Sequence, residues 1–320
     1  MSKYRHHLPQ LDGRLFLSDG GLETTLIFHE GLTLPYFAAF DLLKDDAGTE
    51  ILRRYFARYA GLARTRGLGA VLESPTWRAN PEWAAKLGYD ARALAQANRR
   101  GIALLAAVRT EFESADSPVV VSGNLGPRGD GYRPDARMTA RQAQDYHAPQ
   151  VEVFAASEAD MVAAFTMNYV EEAIGIACAA RAAGMPVAIA FTLETDGRLP
   201  SGQTLAEAIR LTDEASEGHP AYYMINCAHP THFDSVLREA GAWRVRLRGL
   251  RANASKRSHA ELDASPDLDI GDPDELGREY RALRELLPQL AVLGGCCGTD
   301  HRHVEAICVA CHPGPGARGL

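Results

Sequence analysis

Short apolar runs alternate with longer segments of helical periodicity along the whole chain. The apolar runs predict eight strands, at residues 15–18, 70–72, 118–122, 160–164, 186–191, 222–225, 245–250 and 290–293. The Ala-, Leu- and Arg-rich segments between them predict helices, including 50–65, 91–113, 139–157, 170–183, 205–215, 233–240 and 273–287. Eight strand–helix units with this spacing predict an α/β fold, a single (β/α)₈ TIM barrel.

An open, doubly wound sheet is the alternative architecture for the same alternation of elements. It is disfavoured because no GxGxxG pattern follows the first predicted strand. No internal repeat or long linker divides the chain. We therefore expect one barrel domain over residues 1–312, followed by a flexible C-terminal tail over the Gly- and Pro-rich residues 313–320.

Composition and charge limit the partners of this chain. The sequence is 46% hydrophobic and 23% charged, with a net charge of −7, so no broad basic surface favours nucleic acid. The first residues lack the apolar segment of a signal peptide, and no apolar run is long enough to cross a bilayer. We expect a cytoplasmic protein without membrane contact whose cysteines stay reduced. The oligomeric state stays open.

In a barrel of this kind, catalytic side chains lie on the loops that follow the carboxyl ends of the strands. Polar side chains occur at or after the ends of the first seven predicted strands: Asp19 and Glu23, Glu73, Asn124, Thr166 and Asn168, Glu194 and Asp196, Asn226, Asn253 and Ser255. Three of these acids, Glu23, Glu73 and Glu194, leave open a lyase or hydrolase that uses loop carboxylates as acid and base.

Three cysteines form the most specific pattern in the chain. Cys296 and Cys297 stand in GlyGlyCysCysGlyThrAsp after the eighth predicted strand, and Cys227 ends the sixth. Flanking glycines allow the backbone to turn so that both vicinal sulfurs converge on one point. Three thiolates with one open position are typical of catalytic zinc, whereas structural zinc takes four protein ligands. The alternatives for the vicinal pair are two buried small side chains or a vicinal disulfide that acts as a redox switch.

The remaining cysteines and the neighbouring histidines are weaker candidates for metal ligands than the three cysteines above. Cys178 lies within a helical segment, where packing explains it. Cys308 and Cys311 have CxxC spacing, but no second pair accompanies them, so we expect no separate metal site. Four histidines near the trio are expected to support the site rather than to bind the metal: His229, His232, His301 and His303.

The predicted centre favours one kind of reaction. Zn²⁺ with three thiolates has a net charge of −1, which makes it a weak Lewis acid but a good holder of a further thiolate. Coordination lowers the pKa of an incoming thiol far below its usual value of about 8.5. The bound sulfur can then attack an electrophilic carbon, provided that the methyl donor carries its own leaving group, such as a sulfonium.

Three segments with these residues resemble the zinc-dependent homocysteine S-methyltransferase family. They are residues 17–26 (LeuSerAspGlyGlyLeuGluThrThrLeu), 225–227 (IleAsnCys) and 294–299 (GlyGlyCysCysGlyThr), within a similarity over about residues 12–312. The resemblance implies a (β/α)₈ barrel, one Zn²⁺ on Cys227, Cys296 and Cys297, and methyl transfer to homocysteine to form methionine. The donors it implies are S-methylmethionine, S-adenosylmethionine, betaine or a methylated folate.

The resemblance also suggests substrate-binding residues. Asp19 matches the first-strand acid of the family, although capping of the following helix is an alternative role. Glu23, Glu73, Thr166 and Asn226 are further candidates, and Asn226 is also suited to organising the loop beside Cys227. Trp77 is suited to facing a cationic donor or to forming a wall of the site.

One position departs from the family pattern. Phe165 stands where family members usually carry a Glu that holds the amino group of homocysteine. Asp19, Glu23 or Glu73 are the acids that would compensate. The departure leaves open whether homocysteine or a related thiol is the acceptor, and whether the chain is instead a non-catalytic relative that binds a ligand.

Overall fold

The computed structural model of the chain describes residues 2–312. In this part of the chain, eight parallel strands close into a barrel in sequence order. Their bounds are β1 Phe16–Leu17, β2 Gly69–Glu73, β3 Val119–Leu125, β4 Met161–Met167, β5 Val187–Phe191, β6 Tyr222–Asn226, β7 Leu247–Ala252 and β8 Val292–Gly295. The barrel closes at its shortest strand, where Phe16 lies opposite Gly69 on one side and Val292 on the other. The predicted (β/α)₈ fold is confirmed.

Helices follow the strands and surround the barrel. The α-helices are α1 Leu22–Thr24, α2 Asp46–Thr65, α3 Pro81–Lys86, α4 Ala91–Phe112, α5 Ala140–Ala155, α6 Val170–Ala182, α7 Leu205–Ser216, α8 Pro230–Arg238, α9 His259–Asp263, α10 Pro273–Leu286 and α11 His301–Cys311. Short 3₁₀ segments lie at Pro9–Leu11, Pro35–Phe37, Ala39–Lys44 and Ala242–Arg246, and a π-helical turn at Thr25–His29. Local sequence sets several of the starts, since Thr139 and Thr204 cap α5 and α7 through capping boxes.

Successive side chains of each strand point alternately outwards and inwards, and they form two separate apolar cores. One face of each strand packs against the helices in a continuous apolar layer. The other face fills the bore, where Phe16, Val71, Val120, Met161, Phe165 and Met224 form a separate apolar cluster. Leu8, in the segment before β1, packs against this cluster. The bore is therefore a packed core, and a cavity opens above it towards the carboxyl ends of the strands.

Several predicted boundaries were wrong by a few residues, and strands β3 and β4 both extend beyond their predicted ends. The strand predicted at 245–250 begins at Leu247, because Val245 lies exposed in a 3₁₀ turn and Arg246 turns aside to pair with Asp213. The eighth strand extends beyond the predicted residue 293 to Gly295, in pairing with β7. The short helices α1, α3 and α9 have too few periodic positions to be predicted from the pattern.

The tail predicted at residues 313–320 lies outside the described residues. Across residues 2–312, every helix is too short or too polar to cross a membrane.

Candidate functional site

A cavity of about 510 Å³ opens at the carboxyl ends of the strands. All three cysteines of the trio line it. So do all five predicted substrate-binding residues: Asp19, Glu23, Glu73, Thr166 and Asn226. The structure therefore gathers the whole predicted site into one space, as expected for the catalytic end of a TIM barrel. Which of these residues contact a substrate remains a prediction.

The three cysteines meet at one side of this cavity. The sulfur atoms of Cys227, Cys296 and Cys297 all lie within 4.8 Å of one another, and within residues 2–312 no other group of His, Cys, Asp and Glu side chains gathers in this way. Tetrahedral zinc–thiolate bonds of about 2.3 Å place neighbouring sulfurs roughly 3.8 Å apart, so the trio fits such an ion with small adjustments. The type and number of ligands also fit zinc, because three cysteine sulfurs leave one coordination position for a substrate.

Two of these sulfurs are bonded in the structure. Cys227 and Cys296 form a disulfide with their Cα atoms 5.4 Å apart, and Cys297 is a free thiol. The pairing joins the sixth and eighth strand ends, so it is not the vicinal disulfide considered from the sequence. Metal binding would require this pair in its reduced form, since the thiolate is the metal ligand.

Strand β7 brings the two cysteine segments together. The Cys227 N–H donates to the Arg251 carbonyl (3.0 Å), and the Cys296 N–H donates to the Ala252 carbonyl (2.8 Å). β7 lies between β6 and β8 in the barrel. Its two consecutive carbonyls therefore hold the segment after β6 on one side and the segment after β8 on the other. Gly298, with φ of +78°, then turns the chain away after Cys297, in a left-handed conformation that glycine adopts without strain.

Two non-glycine residues beside the trio have the same left-handed backbone. Thr166 has φ of +63° and Cys227 has φ of +52°, and their side chains meet at 3.9 Å (Oγ1–Sγ). Such conformations cost of order 1–3 kcal/mol each and persist where surrounding contacts enforce them. Both residues line the cavity, so the strain is concentrated at the candidate site.

The Asn226 side chain supplies those enforcing contacts. Its Oδ1 accepts the Thr166 N–H (2.9 Å), and its Nδ2 donates to Thr166 Oγ1 (3.0 Å) and Cys227 Sγ (3.2 Å). The amide therefore joins the end of β4 to the first cysteine. These bonds support the loop-organising role and leave little of the amide free for a substrate.

Cys297 lies in a negatively charged environment. Burial and the neighbouring Glu23 carboxylate raise the pKa of the Cys297 thiol to about 11. The Tyr132 hydroxyl lies beside the same sulfur. Without a cation the thiol is therefore protonated at neutral pH, and a bound cation would favour its thiolate form.

Asp19 forms a buried ion pair that the sequence did not indicate. Its Oδ1 lies 2.7 Å from Arg251 Nη2, and its Oδ2 accepts the Tyr55 hydroxyl at 3.1 Å. It does not cap α1, because Gly21 is the N-cap residue there and no side chain caps that helix. Arg251 was missed in the sequence. The available signal was a charged residue at an inward-facing position of β7, two residues after Gly249, which packs against Met224 in the bore.

Two further acids in the cavity lack a cationic partner. Burial raises the pKa of Glu73 to about 7, and burial together with repulsion from Asp19 raises the pKa of Glu23 to the same value. In the described part of the chain, neither carboxylate has an ion-pair partner within 4 Å. Both groups would gain a favourable interaction from a cationic ligand.

The outer wall contains an alternating stack of aromatic rings and cations. The Arg78 guanidinium lies between Trp77 and Trp83, at 4.0 and 3.9 Å from the ring centroids, and Lys86 covers Trp83 at 3.7 Å. One π face of Trp77 is therefore occupied by a residue of the chain itself. Trp77 is a wall of the cavity, as one of the two sequence-based alternatives expected.

The third acid of the lyase or hydrolase alternative lies apart from the other two. Glu194 pairs with His259 Nδ1 at 3.1 Å, and it does not line the cavity as Glu23 and Glu73 do. His259 in turn contacts the Cys227 carbonyl through Nε2 and stacks on Tyr132. Glu194 and His259 thus support the loop that carries Cys227.

The four histidines that were expected to support the site contact other parts of the fold. His229 lies 3.3 Å from Glu279, and His232 contacts the Lys256 carbonyl at 2.9 Å. His301 lies beside Arg58, and His303 contacts Asp300 and the Ile270 carbonyl. Cys308 is buried in the apolar layer outside the barrel, and Cys178 lies half-buried on α6.

Comparisons with known proteins agree with the barrel fold and identify the family. The sequence profile described as homocysteine S-methyltransferase matches residues 16–311. A comparison with curated protein sequences gives no significant match.

Among solved structures, the oxidized form of the homocysteine methyltransferase MmuM from Escherichia coli superposes with a TM-score of 0.73 at 20% identity, covering 92% of this chain and 95% of that one. The metallated form of MmuM gives a TM-score of 0.72 at 19% identity, covering 93% and 97%. At this identity the structural likeness shows the shared barrel fold, and the profile match shows the family. This chain belongs to the homocysteine S-methyltransferase family and is an S-methyltransferase.

Proposed function

We propose that this enzyme holds one Zn²⁺ on Cys227, Cys296 and Cys297 and transfers a methyl group from a small cationic donor to homocysteine or a closely related thiol. The observation that carries the proposal is the convergence of these three sulfurs within 4.8 Å at the wall of the cavity. When bound, zinc would supply a fourth position for the acceptor sulfur and lower the pKa of that thiol. The product of transfer to homocysteine is methionine.

Residues of the chain would prepare the acceptor and its surroundings. The three thiolates define the fourth position, and the Asn226 amide keeps Cys227 in its strained conformation through its bonds to Thr166 and Sγ. The apolar bore beneath the cavity excludes water from one side. A desolvated thiolate is a stronger nucleophile towards a methyl carbon, because water no longer stabilises its charge.

The charge of the cavity supports a cationic donor. Glu23 lies close enough to Cys297 to raise the pKa of its thiol, and no cation within 4 Å neutralises this carboxylate in residues 2–312. A sulfonium or quaternary ammonium group near the acceptor sulfur would be attracted by the Glu23 charge. S-methylmethionine, S-adenosylmethionine and betaine all carry such a group. We place the reaction in the cytoplasm, where the three thiols would stay reduced.

Metal analysis and an activity panel test this proposal. The reduced, zinc-loaded protein is analysed for metal by mass spectrometry and then incubated with homocysteine and each of the three donors. We expect about one zinc per chain and formation of methionine with at least one donor. A reduced, unchelated sample without zinc, or a zinc-loaded one that methylates nothing in the panel, would contradict the proposal.

Two cysteine variants make the metal analysis specific. Cys296→Ser removes one of the three proposed ligands, so we expect it to lose zinc and activity together. Cys178→Ser makes the same substitution on α6, outside the trio, and should retain both. Equal zinc content in the two variants would place the metal elsewhere.

A further inference from the structure

The floor of the cavity contains a buried carboxylate with an unsatisfied oxygen. Glu73 ends β2, its side chain is 3% exposed, and its Oε2 accepts no hydrogen bond in the described part of the chain. It lies two residues after Val71, which packs in the bore, so both side chains point into the barrel. Glu73 also lines the open space of the cavity. A carboxylate in this position faces a ligand site from below.

The nearby cations of the chain are already used elsewhere. Arg251 pairs with Asp19 and donates from Nε to the Gly295 carbonyl at 3.0 Å. Arg78 lies between two tryptophan rings and donates to the Gly129 carbonyl at 3.0 Å. Across residues 2–312, neither guanidinium approaches Glu73 within 4 Å. The negative charge of Glu73 is therefore left for a group that the chain does not provide.

Two other inward-facing side chains of the cavity do not compete for that group. Phe165 on β4 and Asn226 on β6 point into the bore from alternate strands, as Glu73 does from β2. The Phe165 ring is apolar, and the Asn226 amide is bonded to Thr166 and Cys227. A buried carboxylate such as Glu73 is stabilised by a cation that also donates hydrogen bonds.

We propose that Glu73 binds the ammonium group of the methyl acceptor, so that the enzyme selects amino-acid thiols over thiols that lack an amine. This inference rests on the proposed function and assigns the specificity of the same site to one residue. It places the acceptor amine against β2, two strands away from the apolar Phe165 on β4. An ammonium has three N–H donors, and one of them would satisfy the free Oε2.

The depth of Glu73 favours the acceptor over the cationic donor as its partner. Glu73 lies at the floor, whereas Glu23 is half-buried and adjoins Cys297. The acceptor binds through its sulfur at the trio and occupies the inner part of the cavity, so the donor approaches from the mouth. Burial raises the pKa of Glu73 to about 7, and a bound ammonium would favour its ionised form.

Product binding tests this assignment without requiring catalysis or metal. Methionine carries the ammonium, and 4-(methylthio)butanoate is the same molecule without it. Their dissociation constants are measured calorimetrically for the wild-type protein and for Glu73→Gln. We expect Glu73→Gln to raise the dissociation constant of methionine at least tenfold. The dissociation constant of 4-(methylthio)butanoate should change less than about twofold. Equal effects on the two ligands, or none, would overturn the proposal.

Further measurements distinguish the role of Glu73 from the proposed function, and binding of the acceptor ammonium from binding of the cationic donor. With homocysteine as acceptor, Glu73→Gln should raise the KM for homocysteine and leave the KM for the donor unchanged; a change confined to the donor KM would overturn the assignment. Glu23→Gln is the matched control, because it removes the other unpaired acid and should leave the preference for methionine intact. Circular dichroism and thermal unfolding establish that each variant is folded. Loss of methyl transfer in every donor pairing would contradict the proposed function, while the calorimetric comparison would still decide the role of Glu73.

Discussion

Arg251 Nη2 lies 2.7 Å from Asp19 Oδ1, and this buried ion pair connects β7 to the segment that follows β1, across the intervening β8. The guanidinium also lies 5.0 Å from the Phe165 ring centroid. The pair therefore adjoins the position at which this chain departs from the family pattern. It neutralises the buried Arg251 guanidinium, whereas Glu23 and Glu73 have no ion-pair partner within 4 Å in residues 2–312.

Breaking this ion pair should destabilise the barrel. Asp19→Asn leaves the Arg251 charge buried without its partner, so we expect the free energy of unfolding to fall by about 3–5 kcal/mol. Urea unfolding followed by circular dichroism measures the change. The double variant Asp19→Asn/Arg251→Met removes both charges and should lose less stability than Asp19→Asn alone. A single variant as stable as the wild type would show that solvent or another group compensates Arg251.

The Asn226 amide should control zinc affinity. Asn226→Ala removes the donor to Cys227 Sγ and both bonds to Thr166, so we expect zinc affinity to fall by about 10- to 100-fold. Competition with a chromophoric chelator measures it. Asn98→Ala is the matched control, because Asn98 is equally buried but bonds to Ala79 and Leu94 away from the cavity. If both variants bind zinc as tightly as the wild type, the amide has no part in positioning the metal ligand.

Glu73 should make the stability of the ligand-free protein fall with rising pH. Its pKa is raised from the ordinary 4.5 to about 7 by burial, so the folded state holds this proton more tightly than the unfolded chain. Its contribution is therefore most favourable below pH 4.5 and is lost as the pH rises through 7. A pKa change of about 2.5 corresponds to roughly 3 kcal/mol as an upper value.

The variant Glu73→Gln lacks this titration. Relative to the wild type, it should become more stable by about 1–3 kcal/mol between pH 5 and pH 8, as measured by urea unfolding at both values. A difference between the two proteins that is the same at pH 5 and pH 8 would mean that the Glu73 carboxyl titrates in its ordinary range.

Phe165→Glu tests two explanations of acceptor choice. The family resemblance predicts that restoring a carboxylate improves the use of homocysteine. In the structure, Arg251 lies against the Phe165 ring, so we expect the new carboxylate to pair with Arg251 first and the KM for homocysteine to change less than about threefold. Steady-state kinetics with homocysteine decide between them. A tenfold or greater decrease in KM would support the missing carboxylate as the cause of altered specificity.

Much of the fold could be predicted because its signals are local. The alternation of short apolar runs with helical segments is present in the residues themselves, and it led to the eight strands and the barrel. The errors arose where local and long-range preferences compete. Val245 has a strand-forming side chain, but Arg246 beside it pairs with Asp213 on α7, and β7 therefore begins later.

The candidate site was predictable to the extent that its residues follow strands. The position of Cys227, Cys296 and Cys297 after β6 and β8 indicated their convergence, and the structure brings their sulfurs within 4.8 Å. Arg251 was missed because a charged residue within a strand carries no signal of its partner. Asp19 lies 232 positions earlier in the chain, and only barrel closure brings the two together.

The sequence by itself determined the barrel, the cysteine trio and the family, since these depend on periodicity and on short motifs that can be recognised without the tertiary structure. Only the tertiary structure decided the charge balance of the cavity: Arg251 neutralises Asp19, Arg78 lies between two tryptophans, and Glu73 is left buried without a cationic partner. The physical reason is that the charge and pKa of a buried group depend on which side chains surround it. In a closed barrel those neighbours come from strands far apart in the chain.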